Sequence, residues 1–121
     1  MNNVGSVVRA YGDAWLDVDD AERRRLLEIA WSDDGVYQDP TADVAGREAL
    51  LQHVNGFRNR FPGSSILLTS GVDHHHGALH FTWKIVAPDG QTTLEGRDFG
   101  ELGVDGRIRR IVGFFGPPPP L

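Results

Sequence analysis

An α+β domain is predicted, helices first and an antiparallel sheet after them, from three observations. Apolar residues recur at helical spacing as far as Phe61, Pro62-Gly63 ends that period, and from Ser65 the spacing is two nearly to the end of the chain. A chain of 121 residues forms one core. The domain is expected over 1–116. Pro117 to Pro120 cannot donate ladder hydrogen bonds, so 117–121 should be a short extended tail.

The first helix follows from Val4, Val8, Tyr11 and Trp15, spaced four, three and four, with Val7 and Ala14 widening the face. Tyr11 therefore points inward, where a phenol needs a hydrogen-bond partner. Asp19 and Glu22 resemble a capping box for a second helix, which carries Leu26, Leu27, Ala30 and Trp31 toward a stop at Asp33-Asp34-Gly35. Val36 to Gln38 is then a short extended piece. A third helix opens near Gly46 and carries Leu50, Val54, Phe57 and Phe61 on one face. His53 borders that face, where a lone histidine reads more simply as a satisfied boundary residue.

Ser65 to Val72, His75 to Val86, Thr92 to Leu102 and Arg107 to Phe115 are predicted as four strands, the last three joined as a meander by Pro88-Asp89-Gly90 and Asp105-Gly106. Alternation puts His75, Gly77, Leu79, Phe81, Trp83 and Ile85 on one face of the second strand. In the third strand it puts Asp98 in a row of leucines and glycines, either as an acid facing the core or as an edge residue meeting water. The last strand has apolar bulk on both faces. Ile111, Gly113 and Phe115 oppose Ile108, Arg110, Val112 and Phe114, so one face meets the helices and the other, with Phe99, is a candidate homodimer surface.

The stretch from Trp31 to Pro40 holds the most suggestive acid. Asp39 precedes Pro40, which drives its backbone toward an extended conformation, and Trp31 and Tyr37 bracket it with apolar surface. A carboxylate facing an apolar space has a raised pKa and can move protons near neutral pH. The plainer reading is a turn, since Asp-Pro pairs commonly start one.

Composition excludes several classes. A net charge of −5 argues against nucleic acid as a partner, and Arg23-Arg24-Arg25 and Arg107 with Arg109-Arg110 read as solvated faces. With no cysteine there is neither a disulfide framework nor a thiolate site. No leader or membrane span is recognised, so a cytoplasmic location is expected. His74-His75-His76 is not read as a metal site, because neighbouring strand residues point to opposite faces.

The aromatic helix, its Asp-Asp-Gly turn, the Tyr37-Gln38-Asp39-Pro40 segment and the sheet after three helices together resemble the nuclear-transport-factor-2-like superfamily. Within it the chain is most similar to the SnoaL-like polyketide cyclase and ketosteroid isomerase branches. That resemblance implies a cone, with three N-terminal helices packed on a curved antiparallel sheet around a pocket, commonly as a homodimer. It also implies roles. Val7-Val8-Arg9-Ala10-Tyr11 looks like the helix bearing an oxyanion-hole tyrosine, Gln38-Asp39-Pro40 like the segment of the general base, and Asp98 like a strand acid kept protonated to donate a hydrogen bond. Trp15, Tyr37, His53, Phe57, His75, Phe81, Trp83 and Phe115 are expected to line the pocket and bind substrate. His53 and His74 to His76 have no counterpart in the isomerase pattern, although dehydratases of this fold pair an aspartate with histidines. The implied activity is cofactor-independent acid/base chemistry on an apolar carbonyl compound, of isomerase, cyclase or dehydratase type. The alternative is a non-catalytic module that binds a small molecule or supports a dimer.

Overall fold

The structure, a computed structural model, describes residues 3–121. Helix α1 covers Val4–Asp13, α2 Asp20–Ala30 and α3 Arg47–Arg60. The strands are β1 Trp31–Asp39, β2 Ala42–Ala45, β3 Ser65–Leu68, β4 Asp73–His75, β5 Ala78–Val86, β6 Thr92–Leu102 and β7 Ile108–Phe115. Asn3 caps α1 by accepting from the Ser6 N–H, and Asp19 caps α2 by accepting from the Glu22 N–H at 2.8 Å. Among the described residues, no helix is long and apolar enough to cross a membrane.

Seven strands form one curved, open sheet in the order β2-β1-β7-β6-β5-β3, with β4 also pairing β5. The sheet is mixed, not purely antiparallel: β7 returns beside β1 and runs parallel to it. The predicted helix through Trp31 also ends early. Trp31 has extended backbone at φ −118°, ψ 127° and pairs with Ile108, so Trp31–Asp39 is a long strand with an irregularity between Trp31 and Val36. Tertiary pairing decides this boundary. The indole fills the irregularity, packed against Gly35, where any Cβ would collide with it.

Helices α1 and α2 and the buried side of α3 cover the inner sheet face around Val7, Leu27, Trp31, Leu50, Leu51, Val54, Phe81, Ile108 and Ile111, each under 2% exposed. Tyr11 stacks on Trp31 with ring centroids 5.5 Å apart. Arg23 departs from the expected solvated face. Only 3% exposed, it donates to the Ala14 and Leu16 carbonyls and to Asn55 Oδ1, tying the α1–α2 loop to α3.

Two irregularities reset the predicted faces. Leu102 pairs with Ile108 while Glu101 pairs with Arg110, so Arg109 is an extra residue and Ile108 is fully buried instead of lying outside. Phe99 and Phe114 do lie on the outer face, 42% and 45% exposed, with His80 stacked on Phe99 and Arg97 over Phe114. The second irregularity splits the strand predicted from His75. His76 and Gly77 both have positive φ and turn β4 back on β5, with His75 opposite Ala78. Paired residues share a face, and Ala78 alternates with Leu79, so His75 is on the outer side.

The inner face of β6 is glycine-rich for a steric reason. Trp83 lies across Gly96, so a methyl group there would overlap the indole, and one at Gly100 would stand 2.6 Å from the Arg110 carbonyl. Gly96→Ala is therefore expected to destabilise by about 1–3 kcal/mol, read as a lower urea midpoint at unchanged slope.

Candidate active site

A cavity of about 930 Å³ opens between α1, α3 and the inner face of the sheet. That is ample for a drug-sized ligand. Each wall has a local origin. Tyr11 comes from the inward stripe of α1, and Trp15 from the turn that follows the helix. His53 and Phe57, spaced by four on α3, close one side, while Phe81 and Trp83 from β5, Asp98 from β6 and Phe115 from β7 form the floor. The lining is apolar apart from a few polar groups, and two of those are acids.

Asp39 closes β1 and faces both ways. Its Oδ1 accepts from the Thr41 backbone N–H and hydroxyl, each at 2.7 Å, which makes the turn into β2. Its Oδ2 accepts from the Tyr37 hydroxyl at 2.5 Å and lies 4.0 Å from His53 Nε2. Thus the turn takes one oxygen and the cavity has the other. The Tyr37 phenol is pushed far up, by burial first, then by Tyr11 and by its bond to Asp39, so it stays a donor. Burial lowers His53, against the pull of Asp39 toward the charged form, which leaves a neutral imidazole as proton acceptor near pH 7.

Asp98 faces the core, which decides against the edge reading. It is 5% exposed, and its Oδ1 accepts from Trp83 Nε1–H at 3.0 Å. Burial raises its pKa from 3.8 to about 6; the Trp83 bond opposes the rise and the charge of Asp39 adds to it. Tyr11 is raised well above its ordinary value, first by burial and then by Asp98.

Gly113 explains how the two acids come to share one space. It pairs with Asp98 across β6–β7, while on its other side Gln38 pairs with Val112. A Cβ on Gly113 would stand 2.9 Å from Asp98 Oδ1 and 3.4 Å from Asp39 Cβ. The missing side chain thus opens a gap between the Asp98 carboxyl and the Asp39 Cβ, on strands two ladder spacings apart, roughly 10 Å.

Tyr11, Trp15, Tyr37, Asp39, His53, Phe57, Phe81, Trp83, Asp98 and Phe115 all border this cavity. His75 does not. It is exposed, its Nδ1 3.1 Å from that of His76, because the His76-Gly77 turn puts it on the outer face. Among the described residues, no group of three His, Asp or Glu side chains is placed to hold a metal ion. Sequence reasoning missed Thr41, Gln52 and Arg60. For Thr41 a signal existed, since an aspartate two residues before a threonine can accept from its N–H. Gln52 and Arg60 had none beyond their spacing along α3.

Comparison with known proteins agrees with this fold. The pattern of the SnoaL-like domain matches residues 8–111. Among solved structures, a protein of Agrobacterium tumefaciens str. C58, provisionally assigned as an isomerase of the SnoaL-like family, is 30% identical with a TM-score of 0.86, covering 93% of this chain and 96% of its own. A protein of Jannaschia sp. CCS1, provisionally assigned as a SnoaL-like polyketide cyclase, superposes with a TM-score of 0.72 at 14% identity over 93% of this chain and 84% of its own. A provisionally assigned hydroxylase of Streptomyces galilaeus shares the fold at a TM-score of 0.64 and 14% identity, over 93% and 88% of the two chains. No curated protein matches the sequence. With most of its length matched by the family pattern and a 30% identical relative spanning nearly all of both chains, the protein belongs to the SnoaL-like domain family.

Proposed function

We propose that the protein is a cofactor-independent acid/base enzyme of isomerase or cyclase type, acting on an apolar carbonyl compound bound in the cavity. The observation that carries this reading is the pair of carboxyls across Gly113, in environments that differ. Asp39 accepts three hydrogen bonds, an arrangement suited to a carboxylate, whereas Asp98 sits among apolar groups and holds its proton to about 6. Two acids so divided can do opposite work.

In the proposed reaction, the carbonyl oxygen lies toward Tyr11 and Asp98, and the adjacent carbon toward Asp39. Asp39 Oδ2 takes the proton from carbon, the C–H electron pair becomes the new carbon–carbon double bond, and the carbonyl π pair moves onto oxygen. Tyr11 and protonated Asp98, both buried, hydrogen-bond that enolate oxygen. Return of the proton to a second carbon completes an isomerisation; in a cyclisation the enolate carbon attacks another carbonyl of the same chain, whose π pair moves onto its oxygen, and that alkoxide takes the proton back from Asp39. His53, neutral and beside Oδ2, supports the base end.

The test needs no natural substrate. A planar naphthol places an enolate-like oxygen in the cavity and reports binding by fluorescence. The wild type is expected to bind it, and Tyr11→Phe and Asp98→Asn, which keep size but alter the hydrogen bond offered, each to weaken binding by roughly tenfold or more. Binding indifferent to both changes would return Tyr11 and Asp98 to purely structural roles.

A further inference from the structure

The mouth of the cavity has chemistry that proton transfer does not use. Along α3, Gln52, Gly56 and Arg60 are four residues apart and all border the cavity from its exposed side. Gly56 is unexplained by local structure. It lies in the helix interior without positive φ, and a Cβ there would meet nothing within 4 Å. A helix-interior glycine is less favourable than alanine, and neither packing nor backbone geometry offsets that. It does leave a bare strip of helix at the opening.

One turn further on stands Arg60, the only arginine or lysine bordering the cavity among the described residues. Other arginines of the helical layer are engaged: Arg58 donates to the Ser64 carbonyl, Arg24 pairs with Glu48, and Arg23 is buried on Ala14, Leu16 and Asn55. Arg60 has no hydrogen bond or ion pair among the described residues, although Asp and Glu outnumber Lys and Arg by 17 to 12. Its charge is felt inside the opening, where it helps keep His53 neutral. The C-terminal turn of α3 would favour a cation there, but Arg58 already serves the chain beyond the helix end.

We propose that the substrate carries an anionic group, a carboxylate or phosphate ester, at the end remote from the reacting carbonyl, and that this end crosses Gly56 to pair with Arg60. The inference rests on the cavity being the substrate pocket. An anion near Asp39 and Asp98 is otherwise repelled, so a cation at the rim lets an acidic molecule enter with its apolar part first. Arg60 is a specificity residue in this scheme and touches no reacting atom.

The probes are hydroxynaphthoic acid and hydroxynaphthylbutanoic acid, which differ in the reach of the carboxylate, each titrated by fluorescence beside its methyl ester. Wild-type protein is expected to bind at least one acid about fivefold more tightly than its ester at low salt, with the preference shrinking as salt rises. Arg60→Gln should erase the preference without weakening the esters, Arg60→Lys should keep most of it, and Gly56→Leu should weaken the longer acid most. No preference for either acid, or a preference that survives Arg60→Gln, overturns the proposal. The proton-transfer reading fails separately: ester binding indifferent to Asp98→Asn, with the Arg60-dependent preference intact, would leave an anion-selective pocket without the chemistry.

Discussion

Replacing Asp98 by Asn is expected to stabilise the fold by about 3 kcal/mol near pH 8 and to leave it almost unchanged near pH 4, while removing most of any proton-transfer activity. In the unfolded chain the carboxyl ionises near 3.8, and in the folded protein near 6. Below both values the group is protonated in either state and its burial carries no charge penalty. As pH rises between them, unfolding releases a proton that folding retains, so stability falls; above about 6 the whole penalty is present. About two pKa units correspond to about 3 kcal/mol. Asn cannot ionise, and its oxygen can still accept the Trp83 indole N–H. Urea denaturation of both proteins across this range gives the comparison, and a difference independent of pH would mean the folded acid titrates normally. Catalysis should move the other way. An oxyanion donor is worth about 3–4 kcal/mol, or roughly a hundred- to thousandfold in rate. Because the protonated acid is the proposed donor, wild-type kcat/KM should fall as pH climbs through about 6. Deuterium uptake at the α-carbons of an apolar bicyclic ketone such as β-tetralone, followed by NMR, would read it.

The same residue shows why part of the site was legible before any coordinates. Alternation from Leu94 to Gly100 puts Asp98 in a row of leucines and glycines but leaves a core acid and an edge residue both open until the pairing is known, whereas the four-three-four spacing of the first helix is enough to turn Tyr11 inward. Local periodicity carries that information. It fails where a long-range pairing overrides it. Trp31 has helical neighbours, yet its pairing with Ile108 makes it strand, and the parallel β1–β7 contact joins segments some seventy residues apart. It fails again where one residue resets the phase, at Arg109 and at the His76-Gly77 turn, and so Ile108 and His75 were assigned to the wrong faces. Arg23 and Arg60 mark a third limit. Arg23 belongs to a run that reads as a solvated face and Arg60 carries no signal of its own, and only the tertiary structure shows the first buried on loop carbonyls and the second bordering the cavity mouth.

Asp39→Asn is expected to lower the rate of α-proton exchange by about a hundred- to ten-thousandfold with little loss of stability, and Asp39→Ala to lose the same activity and about 1–3 kcal/mol besides. The contrast separates the two functions of this carboxyl. Oδ1 holds the turn through Thr41, and an asparagine oxygen can keep both of those bonds. Oδ2 faces Tyr37 and His53, and there the amide puts an N–H where the base was; the phenol can rotate to accept it, so the fold survives while proton acceptance is lost. Alanine leaves the Thr41 N–H and the Tyr37 hydroxyl without their acceptor, and the buried phenol carries most of that added cost. If Asp39→Asn exchanged α-hydrogens as fast as wild type, the Asp-Pro pair would be a turn and nothing more, and His53, the remaining neutral base beside that oxygen, would become the residue to replace next. Tyr37→Phe provides the intermediate case. It removes one of the three hydrogen bonds holding Asp39 and leaves the two from Thr41, so the carboxylate is less well aimed and the rate should fall by less than in Asp39→Asn.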